Sequence, residues 1–187
     1  MFKTTPLAGV LLIEPRVFRD DRGFFLESFN ERRFREAGLD VRFVQDNHSR
    51  SARGTLRGLH AQLRHPQGKL VRVIEGEVFD VCVDIRRGSP TYRKWYGVRL
   101  SQENFLELYI PPGYAHGFYV LSPFAQFEYK CTDFYDPADE LHVIWNDNDI
   151  GIEWPDADPR LSPKDAAGAR LKDIEPQLPT YDPKRKS

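Results

Sequence analysis

Short segments with the residue composition of β-strands recur along most of the chain, and they constrain its fold more than any other feature of the sequence. They are rich in Phe, Val, Ile, Leu or Tyr and are separated by Gly, Pro, Asn or Ser: residues 10–13, 24–28, 43–49, 55–60, 69–75, 78–85, 94–100, 106–110 and 124–132. Before residue 160 only residues 31–37 indicate a helix, with Asn30 as N-cap and Gly38 after its end. This pattern predicts an all-β fold, a jelly-roll antiparallel β-barrel with a few short peripheral helices.

The length of 187 residues fits a single domain that covers residues 1–187. Beyond Trp154 the strand pattern fades, and residues from about 175 to 187 are expected to form a loose C-terminal tail.

The charge balance and the cysteine count exclude several classes of protein. There are 27 basic and 28 acidic side chains, so no nucleic acid partner is expected. No apolar run approaches the roughly 20 residues that span a bilayer, and the first residues lack a secretory signal, so no membrane partner is expected either. Cys82 and Cys131 are too few for a disulfide framework or a zinc cluster, which favours reduced core thiols in a cytoplasmic protein.

Alternation within residues 78–85 raises a question about buried charge. Phe79 and Val81 share one face of this predicted strand, and Asp80 and Asp84 share the other. The two carboxylates either point into the lumen of a barrel that holds a ligand or belong to a solvated outer face. The strand alone does not decide between these two interpretations.

Histidines are the first candidates for chemistry: His48, His60, His65, His116 and His142. Residues 111–117, which end in His116-Gly117, resemble the second half of the cupin signature, in which the histidine is a metal ligand. The first half usually contributes a His-x-His pair, but here Gln62 stands where the second histidine would be. No metal site is therefore predicted.

Three polar residues, with His60 among them, form a set that needs no metal. His60 could act as a base near neutral pH, Lys69 could stabilise an oxyanion, and Tyr129 could donate a proton. Each also fits a structural role, as a hydrogen-bonded core histidine, a surface lysine and a core tyrosine. Composition and spacing leave both interpretations open.

Five segments that follow one another along the chain resemble a known family. Residues 21–27, 45–49, 56–60, 66–73 and 110–118 are similar to the dTDP-4-dehydrorhamnose 3,5-epimerase family of metal-free, cupin-fold enzymes, and residues 89–92, 129–130 and 145–147 continue the match. The resemblance covers roughly residues 7–165, and five motifs in the same order make it specific.

This resemblance implies a reaction and a set of catalytic residues. The substrate would be a dTDP-4-keto-6-deoxy sugar, whose ketone acidifies the hydrogens on carbons 3 and 5. His60 matches the base, oriented by Asp165, and Tyr129 matches the acid on the opposite face of the ring. Lys69 matches the cation that stabilises the enolate oxygen. Neither a metal nor another cofactor is implied, because the ketone of the sugar accepts the electron pair.

The resemblance also implies substrate-binding residues: Arg22, Phe25, Glu27, Gln45, Asn47, Arg57, His116, Phe134, Glu140 and Lys164. His116 would be a second imidazole of the pocket, supported by Asp80. Phe134, with Phe25 as a second candidate, would stack on the thymine ring, although core packing explains Phe25 nearly as well. The family forms homodimers, so Arg22 and Glu27 are expected to reach the pocket of the partner.

The chain departs from the family pattern at one position. The residue after the catalytic histidine is usually aromatic but is Ala61 here, which would open the pocket wall unless Tyr119 fills the space.

Three alternative functions stay open. They are a 3-epimerase that inverts one carbon of a related dTDP-4-keto-6-deoxy sugar, a metal-dependent cupin enzyme, and a cupin that binds a sugar without converting it. Whether the product enters lipopolysaccharide, another surface glycan or a secondary metabolite stays open.

Overall fold

The computed structural model describes residues 1–183, and within them β-strands dominate. The strands are β1 (Phe2–Thr4), β2 (Leu11–Ile13), β3 (Val17–Asp20), β4 (Gly23–Leu26), β5 (Gln45–Ala52), β6 (Leu56–Gln62), β7 (Lys69–Glu75), β8 (Glu77–Asp84), β9 (Trp95–Ser101), β10 (Glu107–Ile110), β11 (Tyr114–Val120), β12 (Phe124–Cys131) and β13 (Glu140–His142). The helices are α1 (Glu31–Glu36), α2 (Pro163–Ala166) and two 3₁₀ turns, Leu171–Asp173 and Glu175–Gln177. The predicted all-β class with short peripheral helices is confirmed.

Two antiparallel sheets face each other and form the barrel. The larger sheet has the strand order β1-β2-β10-β7-β12-β5, and the smaller has the order β13-β6-β11-β8-β9. Consecutive strands β7 and β8 lie in different sheets, so the chain crosses between the sheets at Gly76. A separate hairpin pairs β3 with β4. Side chains from both sheets, such as Val71 and Phe127 on one and Val78 and Phe118 on the other, form the core between them.

The carboxylates of β8 point into the barrel. Asp80 and Asp84 are both fully buried, which confirms the lumen-facing interpretation. A buried carboxylate needs polar partners. Asp84 accepts hydrogen bonds from the Arg86 guanidinium at 2.8 Å, the Ser89 hydroxyl at 2.5 Å and the Thr91 hydroxyl at 2.6 Å. These partners tie the end of β8 to the loop that follows it.

The predicted helix and the predicted thiols are present. The Asn30 side chain accepts a hydrogen bond from the Arg33 backbone N–H at 3.3 Å and so caps α1, which ends one residue earlier than predicted. Phe34 of this helix is buried against the outer face of the larger sheet. Cys82 and Cys131 are buried and unpaired.

Strand β11 was not among the predicted strands, although all seven of its residues are buried. The sequence around it contains Pro111, Pro112, Gly113 and Gly117, which are typical of turns. It lies between two strands of the smaller sheet, where tertiary pairing overrides the weak local preference. Strands β1, β3 and β13 are too short to show a clear period.

The C-terminal segment differs from the predicted loose tail. Leu171, Ile174 and Leu178 are buried in the apolar cluster on the outer face of the smaller sheet. The Arg87 backbone N–H donates to the Pro179 carbonyl at 2.8 Å, and the Tyr181 N–H donates to the Arg87 carbonyl at 2.9 Å. The segment is ordered because its apolar residues cover the sheet. Residues 184–187 of the predicted tail lie outside the described residues.

Among residues 1–183, no helix has the length and apolarity to cross a membrane.

A buried carboxyl group on the larger sheet generates a prediction about stability. Glu107 is 2% exposed, and within the described part of the chain one of its carboxyl oxygens has no hydrogen-bond partner. Burial raises the pKa of Glu107 from 4.5 to about 8, with Arg72 opposing the change in part. The folded pKa of Glu107 lies above the unfolded one, so folding favours the uncharged carboxyl group. The stability that this preference contributes is complete below pH 4.5 and is lost as the pH rises through 8.

We predict that Glu107→Gln removes this loss, because an amide of similar size cannot ionise. Between pH 6 and pH 9 the free energy of unfolding of the parent should fall by roughly 2–3 kcal/mol more than that of the variant. Urea denaturation at both pH values measures the difference. Glu103→Gln, at an exposed glutamate, is the control and should behave as the parent. Parallel pH dependences of parent and Glu107→Gln would contradict the prediction.

Candidate active site

A cavity of about 390 Å³ lies between the two sheets, and polar side chains from both sheets line it. The side with the larger sheet contributes Gln45, Asn47, His48, Ser49, Lys69, Phe127 and Tyr129, and the smaller sheet contributes Arg57, His60, His116, Phe118 and Glu140. Gln67 and Tyr135 come from loops. The concentration of titratable groups in one concave space marks it as the candidate active site.

The alternation of β6 directs His60 into this cavity. Its neighbours Leu59 and Ala61 point to the opposite face and join the outer apolar cluster. A Cβ atom on Gly58 would lie 2.5 Å from the Cα atom of Gly117, so only glycine allows β6 and β11 to approach this closely. The approach brings the strands together beside the cavity.

The orientation of Ala61 corrects one expectation. Because Ala61 is 7% exposed and packs in the outer cluster, it does not form part of the pocket wall. Tyr119 does not fill a gap in the pocket either, since its hydroxyl donates to the Asp156 carboxylate at 3.0 Å. An alanine after His60 therefore leaves the cavity unchanged.

His60 and Asp165 form a hydrogen-bonded pair at one wall. The His60 Nε2 atom lies 2.6 Å from Asp165 Oδ1. The Ser162 hydroxyl donates to Asp165 Oδ2 at 2.6 Å, and the Gly58 backbone N–H donates to Oδ1 at 3.3 Å. Burial would raise the pKa of Asp165, but the hydrogen bonds from His60, Ser162 and Gly58 outweigh it and lower the pKa to about 2. The ionised carboxylate can only accept, so it holds the proton of His60 on Nε2 and leaves Nδ1 as the basic atom.

A second imidazole–carboxylate pair lies beside the first. The His116 Nε2 atom lies 2.8 Å from Asp80 Oδ2, which is the contact that the sequence analysis predicts. Asp80 is fully buried and His116 is 8% exposed. His116 is opposite His60 in the register of β11 and β6, so both rings face the same cavity.

Tyr129 and Lys69 lie on the opposite wall, in the larger sheet. The Lys69 Nζ atom lies 6.0 Å from the centre of the Tyr129 ring. Burial raises the pKa of Tyr129 to about 12, so its phenol is protonated at neutral pH and can donate a proton. Burial also lowers the pKa of the Lys69 ammonium, while nearby Cys131, Glu140 and Asp80 oppose the change.

Several predicted binding residues line or border the cavity. The Gln45 amide donates to Asn47 Oδ1 at 3.0 Å, and the Arg57 guanidinium donates to the Ser51 hydroxyl at 2.9 Å. Lys164 is exposed, with its Nζ atom 3.9 Å from Glu140 Oε2. The side chain of Phe134 is 65% exposed and does not line the cavity.

Tyr135 is a cavity residue that the sequence analysis missed. Its hydroxyl donates to Glu140 Oε2 at 3.0 Å, and its backbone N–H donates to Gln45 Oε1 at 2.9 Å. Its position directly after the predicted Phe134 was the only signal in the sequence that could have pointed to it.

His142, a candidate histidine to which the sequence analysis assigned no role, lies next to His60. It is opposite His60 in the register of β13 and β6, and the two ring centres are 4.8 Å apart. The His142 Nε2 atom lies 3.1 Å from Glu140 Oε2. No local sequence pattern predicts the contact between His60 and His142, because it depends on the pairing of two strands that are far apart in sequence.

Arg22, Phe25 and Glu27 do not meet the cavity of their own chain. The Arg22 guanidinium pairs with Asp20 at 2.5 Å on the β3–β4 hairpin, and Phe25 is 69% exposed. Glu27 accepts a hydrogen bond from the Arg33 guanidinium at 3.0 Å. The hairpin forms its own two-stranded sheet and borders a separate cleft.

The residues at the cupin signature do not fit the usual metal set. Gln62 stands in the place of the second histidine, and its amide is already used. The Gln62 Nε2 group donates to the carbonyls of His65 and Phe134 at 2.8 and 3.1 Å, and Oε1 accepts from the Asp136 N–H at 3.0 Å. No step of the chemistry is therefore assigned to a metal at this set.

Comparison with known proteins gives a consistent result. A sequence model of the dTDP-4-dehydrorhamnose 3,5-epimerase family matches residues 4–173. The dTDP-4-dehydrorhamnose 3,5-epimerase of Pseudomonas aeruginosa is 59% identical over 177 residues, which are 92% of this chain and 98% of the relative. A dTDP-4-dehydrorhamnose 3-epimerase of Streptomyces niveus is 40% identical over 94% of this chain and 86% of its own length.

Solved structures agree. The crystal structure of the dTDP-6-deoxy-D-glucose-3,5-epimerase of Legionella pneumophila, in complex with dTDP-4-keto-L-rhamnose, superposes with a TM-score of 0.95. It is 51% identical, and the match covers 97% of this chain and 98% of that chain.

Proposed function

The chain belongs to the dTDP-4-dehydrorhamnose 3,5-epimerase family, and we propose that His60 and Tyr129 carry out its proton transfers. The enzyme is an isomerase: it converts dTDP-4-dehydro-6-deoxy-D-glucose to dTDP-4-dehydro-L-rhamnose by inverting carbons 3 and 5. The observation that carries the proposal is the position of an imidazole–carboxylate pair and a phenol on opposite sheets around one cavity.

Inversion requires a base and an acid on opposite faces of the sugar ring. The ketone at carbon 4 acidifies the hydrogens on carbons 3 and 5. His60 Nδ1 removes one of these hydrogens as a proton, and the electron pair of the C–H bond moves into an enolate. Tyr129 returns a proton to the same carbon from the other face. Its high pKa supports this role, because the phenol is protonated when it is needed.

The negative charge of the enolate oxygen needs a fixed positive partner. Lys69 lies on the wall with Tyr129 and supplies an ammonium group in a half-buried position, where electrostatic interactions are stronger than in water. His116, held by Asp80, lies beside His60 and is proposed to contact the sugar. The electron pair stays within the sugar, so the proposed steps use no metal or redox cofactor.

Binding of the dTDP group is proposed for the residues at the cavity mouth. Arg57 has guanidinium donors suited to a diphosphate, and Gln45, Asn47 and Glu140 line the cavity with amide and carboxylate groups. Lys164 adds a cation next to Glu140. Phe134 is exposed and follows Asp133 directly before the cavity residue Tyr135, and stacking of its ring on thymine is proposed.

A homodimer is proposed because three binding residues stand away from their own cavity. Phe18, Phe24 and Phe25 on the β3–β4 hairpin are 49%, 58% and 69% exposed, which is unusual for large apolar side chains on a monomer. Arg22 and Glu27 lie on or next to the same hairpin. A partner subunit that receives this hairpin would bury the aromatic rings and gain Arg22, Phe25 and Glu27 at its cavity.

The partners and location proposed for the chain follow the same reasoning. The ligand is a nucleotide sugar rather than a nucleic acid or a membrane. The two cysteines are unpaired thiols, which favours the reducing cytoplasm.

Isotope exchange separates double from single epimerisation. In deuterated water we expect the product of dTDP-4-dehydro-6-deoxy-D-glucose to carry deuterium at both carbon 3 and carbon 5, detected by NMR and as a mass increase of two units. The higher identity to 3,5-epimerases than to the Streptomyces niveus 3-epimerase supports this expectation. Deuterium at carbon 3 alone would assign the chain to the single-inversion class.

Two variants test the assigned base and acid. His60→Ala should lose both deuterium exchange and inversion, by about 10²–10⁴-fold or more, because the variant lacks the imidazole assigned as the base. Tyr129→Phe should retain exchange from the His60 face but form inverted product much more slowly. His65→Ala and Tyr92→Phe, outside the cavity, are matched controls with parental rates expected. Normal inversion by Tyr129→Phe would show that another group is the acid.

Subunit mixing tests whether Arg22 acts across a dimer. Arg22→Ala and His60→Ala chains carrying different tags are coexpressed, and the heterodimer is purified. One of its two sites would combine an intact His60 with an intact Arg22 from the partner subunit, so about half of the parental activity should return. If Arg22 acted on its own chain, both sites would stay defective. Light scattering that gives a monomer for the parent chain would reject the dimer itself.

A further inference from the structure

Three imidazoles form a row across adjacent strands of the smaller sheet. His142 on β13, His60 on β6 and His116 on β11 are opposite one another in register. Each has a carboxylate of its own: Glu140, Asp165 and Asp80, respectively. The proposed mechanism uses His60 and His116 but assigns nothing to His142.

The two ring nitrogens of His142 have different surroundings. Nε2 lies 3.1 Å from Glu140 Oε2, the distance of an ion pair. Nδ1 is buried and has no hydrogen-bond partner among residues 1–183. A buried lone pair without a donor is unfavourable unless something occupies it. A histidine with a carboxylate near one nitrogen and no partner at the other has an arrangement similar to that of metal-binding histidines.

We propose that His60, His142 and Asp165 bind a divalent transition metal ion of the zinc class, and that the bound ion inhibits the enzyme. One ligand atom from each of the three residues can be chosen so that all lie within 4.8 Å of one another. Zinc bonds of about 2.0–2.1 Å place tetrahedral ligand atoms about 3.3 Å apart. Ligand atoms at the 4.8 Å limit therefore need to approach one another by about 1.5 Å, whereas His60 Nε2 and Asp165 Oδ1, which are 2.6 Å apart, need to separate slightly. A water molecule can complete the coordination.

The donor set and the local charge favour this class of ion. Two imidazole nitrogens and one carboxylate oxygen suit zinc, cobalt or nickel, whereas magnesium and calcium prefer oxygen ligands. Asp165 and Glu140 contribute two negative charges, and Lys164, 3.9 Å from Glu140, contributes one positive charge. The site differs from the cupin set of His60, Gln62 and His116, because its other ligands come from β13 and α2.

Metal binding would change which nitrogen of His60 carries the proton. Without the ion, the proton is on Nε2, between His60 and Asp165. When the metal–Nε2 bond forms, the N–H bond at Nε2 breaks and a proton is taken up at Nδ1, with water as the carrier. The ring stays neutral, no net proton is released and no electron is transferred. Nδ1 is then protonated and can no longer act as a base; this consequence rests on the proposed role of His60.

Cobalt(II) tests the site without reference to activity, because four- and five-coordinate cobalt absorbs visible light. The parent chain should bind one Co²⁺ with such absorption and lose it when one equivalent of Zn²⁺ is added. His142→Asn should bind Co²⁺ at least about 30-fold more weakly, whereas His65→Asn, at an exposed histidine, should bind as the parent does. If His142→Asn does not fold, His142→Gln takes its place.

Equal cobalt affinity of the parent and the folded His142 variant would overturn the proposal, as would the absence of a visible spectrum in the parent.

Inhibition is measured separately with Zn²⁺ and the deuterium exchange assay. The parent should lose exchange as the site fills and recover it when a chelator is added, and His142→Asn should stay active at the same Zn²⁺ concentration. Filling of the cobalt site with no loss of exchange would retain the metal site but reject inhibition and the assigned role of His60. Equal inhibition of parent and His142→Asn would place the inhibitory ion elsewhere and overturn the proposal.

Discussion

The hydrogen bond between His60 and Asp165 is the contact on which the site depends. It joins residues 105 positions apart and fixes α2 against β6. The carboxylate is ionised, so it sets the tautomer of His60 and leaves Nδ1 as the basic nitrogen. The outer cluster formed by Leu171, Ile174 and Leu178 keeps the C-terminal segment on the smaller sheet. Packing on one face of the sheet thus supports chemistry on the other.

Two facing sheets can place side chains on opposite sides of one substrate ring, which a single sheet cannot do. A base and an acid that act on opposite faces of one ring need to approach from opposite directions, and side chains of one sheet face all point the same way. His60 projects from the smaller sheet and Tyr129 from the larger. Burial raises the pKa of Tyr129 and so keeps its phenol protonated. Removal from water also strengthens the electrostatic interactions of the Lys69 ammonium group.

Much of the fold and part of the site could be predicted from local pattern. Alternation placed Asp80 on the face opposite Phe79, and the structure shows that this face is the lumen. The N-cap Asn30 marked the start of α1 correctly. β11 was missed because its glycines and the prolines before it are typical of turns, and the C-terminal segment was missed because its apolar residues meet the sheet only after folding.

The sequence by itself determined which side chains of a strand share a face, because the period of two along a strand is a local property, but not which face is the lumen. The motifs that resemble a known family also identified His60, Lys69 and Tyr129. Only the tertiary structure decided which of these groups meet. Strand register places His142 opposite His60, and the separate β3–β4 hairpin holds Arg22 outside the cavity of its own chain. Such contacts join distant parts of the chain, and their geometry follows from packing that no local pattern records.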